Sequence, residues 1–212
     1  MQTIREKLMN EFSDCFHPMT RISDNMISSE YQAYDFDEIA EKIYTRKNVP
    51  RSVDGLLFDK KKLIVVEFKG GMRDKVPMEY GNDAYRKDRE RIKREQTQSV
   101  YTKGLDTYLI LEHDFGLGIT EENKTRTLFI VVIDDREADV MDEEMSILNE
   151  ASGKYERRMK DNEIDTLQQA LRNLNKRNRS RFPYMYDAVT VMTATDFKRR
   201  YCMPQKEKNN LS

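Results

Sequence analysis

The apolar positions of this chain fall into runs of differing period, and the period of each run predicts an element. MQTIREKLMNEF is amphipathic and reads as an N-terminal helix, followed by a polar connection to about Tyr34. In FDEIAEKIYTRK, Phe36, Ile39, Ala40 and Ile43 recur at helical spacing. Asp35 or Asp37 is placed to favour the N-terminus of that helix, and Asn48 and Pro50 end it. Two apolar runs follow, SVDGLLFD and KLIVVEFKG, separated by Lys60 and Lys61. Short charged links between β-rich runs predict an antiparallel hairpin. In the second run Leu63, Ile64, Val65 and Val66 are apolar on both alternating faces, so the strand is expected to be central and covered on both sides. Gly70 and Gly71 close it.

A strongly charged stretch from about Asp83 to Glu95 continues into QTQSVYTKGLDTYLILEHDF. It reads as one long helix or one broken at Gly104, and TYLILEH also fits a strand. GLGITEENKT is a loop, and TLFIVVIDD, residues 127–135, a buried strand. Residues 136–181 are charged and expected to be helical around Glu163–Arg177. YDAVTVMTATDF supplies a further strand with a short helix at about Asp196–Tyr201, and the tail at 204–212 has the composition of a disordered segment. The order predicts an α/β fold, a mixed central sheet flanked by helices. Residues 1–203 are expected to form a single domain, with its core at about 35–135 and a helical C-terminal elaboration over 136–203.

Composition narrows the function classes. Of 212 residues, 38% are hydrophobic and 35% charged, which suits a globular protein with a heavily charged surface. No stretch approaches the roughly 18 consecutive apolar residues of a spanning helix, and the N-terminus lacks a secretory apolar region, so a cytoplasmic, membrane-free protein is expected. Two cysteines, Cys15 and Cys202, exclude a disulfide framework, and two histidines, His17 and His113, argue against histidine-based mechanisms. The formal net charge is −1, so nucleic-acid binding would need a local basic groove rather than a global excess.

The chemistry gathers in the strand Leu63–Lys69. Alternation puts Leu63, Val65, Glu67 and Lys69 on one face, so an apolar face turns abruptly into a carboxylate and then an ammonium. Charges at the end of a strand buried on both sides carry a desolvation cost, which an ion pair or a catalytic task must offset. A hairpin turning at Lys60–Lys61 sets Asp54 near Glu67 and Lys69. Two carboxylates can hold Mg²⁺ while leaving positions for water and phosphate, and the ion lowers the pKa of a bound water. The lysine can orient or help deprotonate that water, or neutralise transition-state charge.

Asp54 followed by Glu67-Phe68-Lys69 on a central strand resembles the PD-(D/E)xK nuclease superfamily, the restriction-endonuclease-like fold, with Val53 in place of the proline. The resemblance covers roughly residues 35–135. It implies hydrolysis of phosphodiester bonds, of DNA before RNA, by an endonuclease that uses Mg²⁺ or Mn²⁺. Asp54 and Glu67 would ligate the metal, the Phe68 carbonyl would add a ligand, and Lys69 would assist the nucleophile. A further acid on the helix before the hairpin falls on Glu38 or Glu41, with Glu38 preferred. Some branches carry a glutamine and a tyrosine after the lysine; here Gln96 or Gln98 with Tyr101 departs from the usual four-residue offset. A homodimer would supply two sites for cutting two strands.

Other features carry less. Arg86, Lys87, Arg89, Arg91, Lys93 and Arg94 are interleaved with acids, whereas Lys176–Arg181 is less compensated and the better candidate for backbone contact. Asp134-Asp135 at a strand end reads as a turn former before it reads as a second metal site. The Cys15/His17 pair is first of all packing. Two rivals stand beside the nuclease: a catalytically silent module of the same fold that binds nucleic acid or a protein, and an interaction protein acting through its charged helices at 83–95 and 155–181.

Overall fold

A computed structural model describes residues 2–44, 49–70, 82–118, 125–134 and 185–203. Its centre is a six-stranded mixed sheet in the order β1-β2-β3-β4-β5-β6. The strands are β1 (Phe16–Pro18), β2 (Gln32–Asp35), β3 (Gly55–Asp59), β4 (Lys62–Lys69), β5 (Arg126–Ile133) and β6 (Ala188–Thr193). Pairing is antiparallel from β1 through β4, and β4, β5 and β6 are mutually parallel. The helices are α1 (Ile4–Glu11), α2 (Met19–Ile22), α3 (Phe36–Ile43), α4 (Asn82–His113) and α5 (Ala194–Phe197), the last continued by a π-helical turn at Lys198–Cys202.

The β3–β4 hairpin forms where the pattern predicts it. Asp59 pairs with Lys62 and Gly55 with Val66, leaving Lys60-Lys61 as a two-residue turn, with Lys60 in the left-handed region at φ 55°. That register fixes the site, because a slip of one residue would turn every β4 side chain to the opposite face. Leu63 and Val65 enter a core shared with Ile4 and Leu8 of α1, Phe36 and Ile39 of α3, and Ile110 and Leu111 of α4. Ile64 and Val66 enter the core on the opposite face, with Met19 of α2 and Phe197 of α5. β4 is therefore covered on both sides, and each such side chain contributes about 1.5–3 kcal/mol through burial.

Of the two readings of the charged stretch from Asp83, one long helix or a helix broken at Gly104, the unbroken one forms. α4 runs unbroken through 32 residues, and TYLILEH is its last part rather than a strand. Thr107, Ile110 and Leu111 are its buried positions there, at helical rather than alternating spacing. Gly104 serves close approach instead: a Cβ at this position would lie 2.8 Å from Phe129 Cε1. The Tyr186 hydroxyl also donates to the Gly104 carbonyl at 2.6 Å, tying α4 to the segment before β6.

Among the described residues no helix is long and apolar enough to cross a membrane. Residues 136–181 with the basic cluster Lys176–Arg181, Gly71, Asp135 and the tail at 204–212 lie outside the described residues.

Gly104→Ala tests how α4 seats on the sheet. Alanine improves helix propensity by about 1 kcal/mol, but the clash with Phe129 costs more, so a net loss of about 1–3 kcal/mol is expected in urea unfolding. A stabilised variant would contradict the close approach.

Candidate functional site

The candidate site lies where β4 leaves the sheet, under α3 and α4. Asp54 immediately precedes β3 and is held to the backbone through two atoms. Its carbonyl accepts from Phe36 N at 3.1 Å, at the start of α3. Its Oδ2 accepts from Phe68 N at 2.5 Å, so the side chain takes the position of a ladder partner beyond the last hairpin pair. Its Oδ1 is left for the side facing α4.

Glu67 is the buried member, with a relative exposure of 0%. It sits on the same β4 face as Leu63 and Val65. Oε1 is 2.7 Å from Lys69 Nζ, an ion pair whose angles fall short of a well-directed hydrogen bond. Oε2 accepts from Lys103 Nζ at 3.0 Å. The same ammonium reaches Asp54 Oδ1 at 3.2 Å.

The structure thus brings Asp54, Glu67 and Lys69 together and adds Lys103, which the sequence reading overlooked. The missed signal is helical spacing. Lys103 is one turn before Thr107, whose buried Oγ1 accepts from Val53 N at 3.0 Å. Asp106 accepts from Arg51 N at 3.2 Å, so this stretch of α4 is buttressed against the segment leading into β3.

Glu38, the acid expected from α3, is elsewhere. Its Oε2 is 2.9 Å from His17 Nε2 and 3.2 Å from Arg21, and its Oε1 is 3.4 Å from Lys42, a separate surface cluster. One residue on a helix is a rotation of about 100°, and Asp37 faces the site instead. Asp37 accepts from the Ser52 hydroxyl. Burial raises its pKa above the usual range, the Ser52 hydrogen bond and Lys103 oppose that, and Asp54 adds to it. Cys15 is buried with Lys42 Nζ 3.0 Å from its sulfur, and burial pushes the thiol up, against the direction of an activated nucleophile. Asp134 donates its backbone N–H to the Lys69 carbonyl at 3.1 Å, bracing the end of β4 from β5. Among the basic residues of 86–94, Arg91 pairs with Glu95 at 3.0 Å on an exposed face of α4.

Burial pushes the Glu67 carboxyl up to about 7, and the Asp54 charge adds to the shift, while Lys69 and Lys103 pull it down. Burial lowers the Lys103 ammonium, but the Glu67 and Asp54 carboxylates outweigh it and leave the pKa raised. The arrangement can therefore hold a cation between two carboxylates, and does so with an ammonium. Among the described residues no three His, Cys, Asp or Glu side chains are grouped to cage a metal ion. Two carboxylates suit an ion that keeps several water ligands, as Mg²⁺ does.

Comparison with protein-family models, with curated proteins and with solved structures returns no match.

The Glu67 shift predicts a pH dependence. A folded pKa raised above the unfolded value near 4.5 gives stability that is complete below that value and lost as pH rises through about 7. In chelator, the wild type should lose about 1–3 kcal/mol relative to Glu67→Gln between about pH 5 and 8, read from urea midpoints. Parallel profiles for the two proteins would contradict the shift.

Proposed function

We propose that this chain is a divalent-metal-dependent nuclease with a restriction-endonuclease-like core, acting on phosphodiester bonds and on DNA first. The observation that carries the reading is Glu67 itself. A carboxylate at 0% exposure, held between two ammonium groups and with a second carboxylate beside it, is an arrangement that structure alone does not favour. Groups with such perturbed ionisation at the end of a central strand concentrate at working sites. The mixed sheet and the helix–strand–strand–helix–strand order through β5 support the family resemblance of Asp54 with Glu67-Phe68-Lys69.

The residues fit a hard divalent cation. Asp54 Oδ1 and Glu67 Oε2 are carboxylate oxygens that already share one positive charge, the donor type a hard divalent cation takes. Asp54, Glu67 and the Phe68 carbonyl would hold the ion. Bound there, Mg²⁺ or Mn²⁺ supplies charge for the phosphate oxygens and acidifies the attacking water. The chain's own residues do the rest. Lys69, with 23% of its side chain exposed, has access to solvent from its pair with Glu67 and can orient the attacking water. Its position beside the carboxylates also suits neutralising the charge that develops on the phosphate. Asp37 is the α3 acid whose charge reaches the site, in the role expected of Glu38.

A catalytically silent module of the same fold is the second reading, and the Lys103 bridge favours it, because an ammonium already neutralises both acids. Cleavage separates the two. Circular, linear and single-stranded DNA are incubated with the protein in Mg²⁺, Mn²⁺ or chelator. The proposal predicts metal-dependent cutting, lost by at least about 100-fold in Lys69→Ala at a temperature where circular dichroism shows the variant still folded. No cutting of any substrate by the wild type, or wild-type cutting by Lys69→Ala, would contradict it.

A further inference from the structure

We infer that Lys103 is a built-in competitor for the cation position between Asp54 and Glu67, and that it must leave before a divalent ion can bind. This rests on the metal-dependent reading above.

Each acid has one oxygen already engaged and one turned toward α4. Asp54 Oδ2 is held by Phe68 N, and Glu67 Oε1 lies against Lys69. The remaining oxygens, Oδ1 and Oε2, are the pair a shared cation would use, and Lys103 Nζ contacts both, at 3.2 and 3.0 Å. Carboxylate oxygens bind Mg²⁺ at about 2.0–2.1 Å, so an ion reaching both would occupy the space now held by the ammonium. Two such cations cannot share it, because their repulsion is strong where water is largely excluded.

The backbone beneath Lys103 is fixed and its head group is not. Tyr186 holds the Gly104 carbonyl, Gly104 packs on Phe129, and Thr107 is tied to Val53 N. The ammonium sits on a flexible four-carbon stem with 22% of the side chain exposed, so the exit is a side-chain swing rather than a helix movement. A displaced Lys103 is a cation beside the site in need of an anionic partner, and a phosphodiester oxygen supplies one. Divalent ion and nucleic acid then bind cooperatively: the ion alone must strip Lys103 from two acids, and the phosphate gives the ammonium a new partner.

The test is Mn²⁺ binding to the full chain without nucleic acid, measured from the spin-resonance signal of the free ion. Lys103→Met and Lys103→Gln should bind Mn²⁺ at least about tenfold more tightly than the wild type, a coupling of ordinary size. Lys103→Arg, which keeps the charge, should show no such gain. Equal or weaker binding by the neutral variants, with Mn²⁺ bound by the wild type, overturns the role of Lys103 and leaves the nuclease reading standing. No Mn²⁺ binding by the wild type or any variant removes the metal-dependent reading and this inference with it. If the neutral variants do not fold, the wild type carries the test alone through the ¹⁵N ammonium resonances of its lysines. One protected resonance in chelator should turn to rapid exchange when Mg²⁺ binds, and persistence of every protected resonance with Mg²⁺ bound would overturn the inference.

Discussion

The structure turns on the enclosure of one carboxylate, Glu67, at the end of a strand packed on both faces. Removing a carboxylate from water costs several kcal/mol unless charge and hydrogen bonds replace the solvent. Here the replacement comes from two lysines on opposite sides, Lys69 from the same strand and Lys103 from α4. The compensation is incomplete, as the raised Glu67 pKa shows. A second acid, Asp54, stands close enough to raise that pKa further. A core built for stability alone would place an apolar residue there, as β4 does at Leu63 and Val65.

The surrounding elements serve to hold those four side chains. The hairpin register delivers Asp54 to the end of β4, and the Phe68 N–H locks the orientation of its carboxylate. The N-terminus of α3 meets the Asp54 carbonyl and brings Asp37 into electrostatic range. α4 must pass close to the sheet for Lys103 to reach both acids, and Gly104 permits that passage by lacking a side chain against Phe129. Sheet, helix and site thus depend on one another. A shift of α4 away from β5 would withdraw the ammonium and leave the two carboxylates facing each other.

Local pattern made much of this legible. The run of four apolar residues before Glu67 announced a central strand, and the Lys60-Lys61 link set the register that opposes Gly55 to Val66. What escaped depends on helix phase and on contacts between elements far apart in sequence. Glu38 and Asp37 are adjacent in the chain, and only the seating of α3 decides which one faces the strands; His17 and Arg21, from a different part of the sheet and from α2, hold Glu38 on the other side. Lys103 looked like one charge among many, because its partners Asp54 and Glu67 lie more than thirty residues away. Gly104 read as a helix break because its intrinsic propensity is poor, whereas its neighbour Phe129 selects it for size. In α4, propensity yielded to tertiary packing.

The central claim is that Asp54 and Glu67 form one cation position, filled by an ammonium until a divalent ion takes it. Anomalous diffraction from a crystal soaked in Mn²⁺ tests it most directly. The account predicts a manganese peak between Asp54 Oδ1 and Glu67 Oε2, with the Lys103 side chain turned away. A soaked crystal with no peak there and Lys103 still bridging the two acids would contradict it.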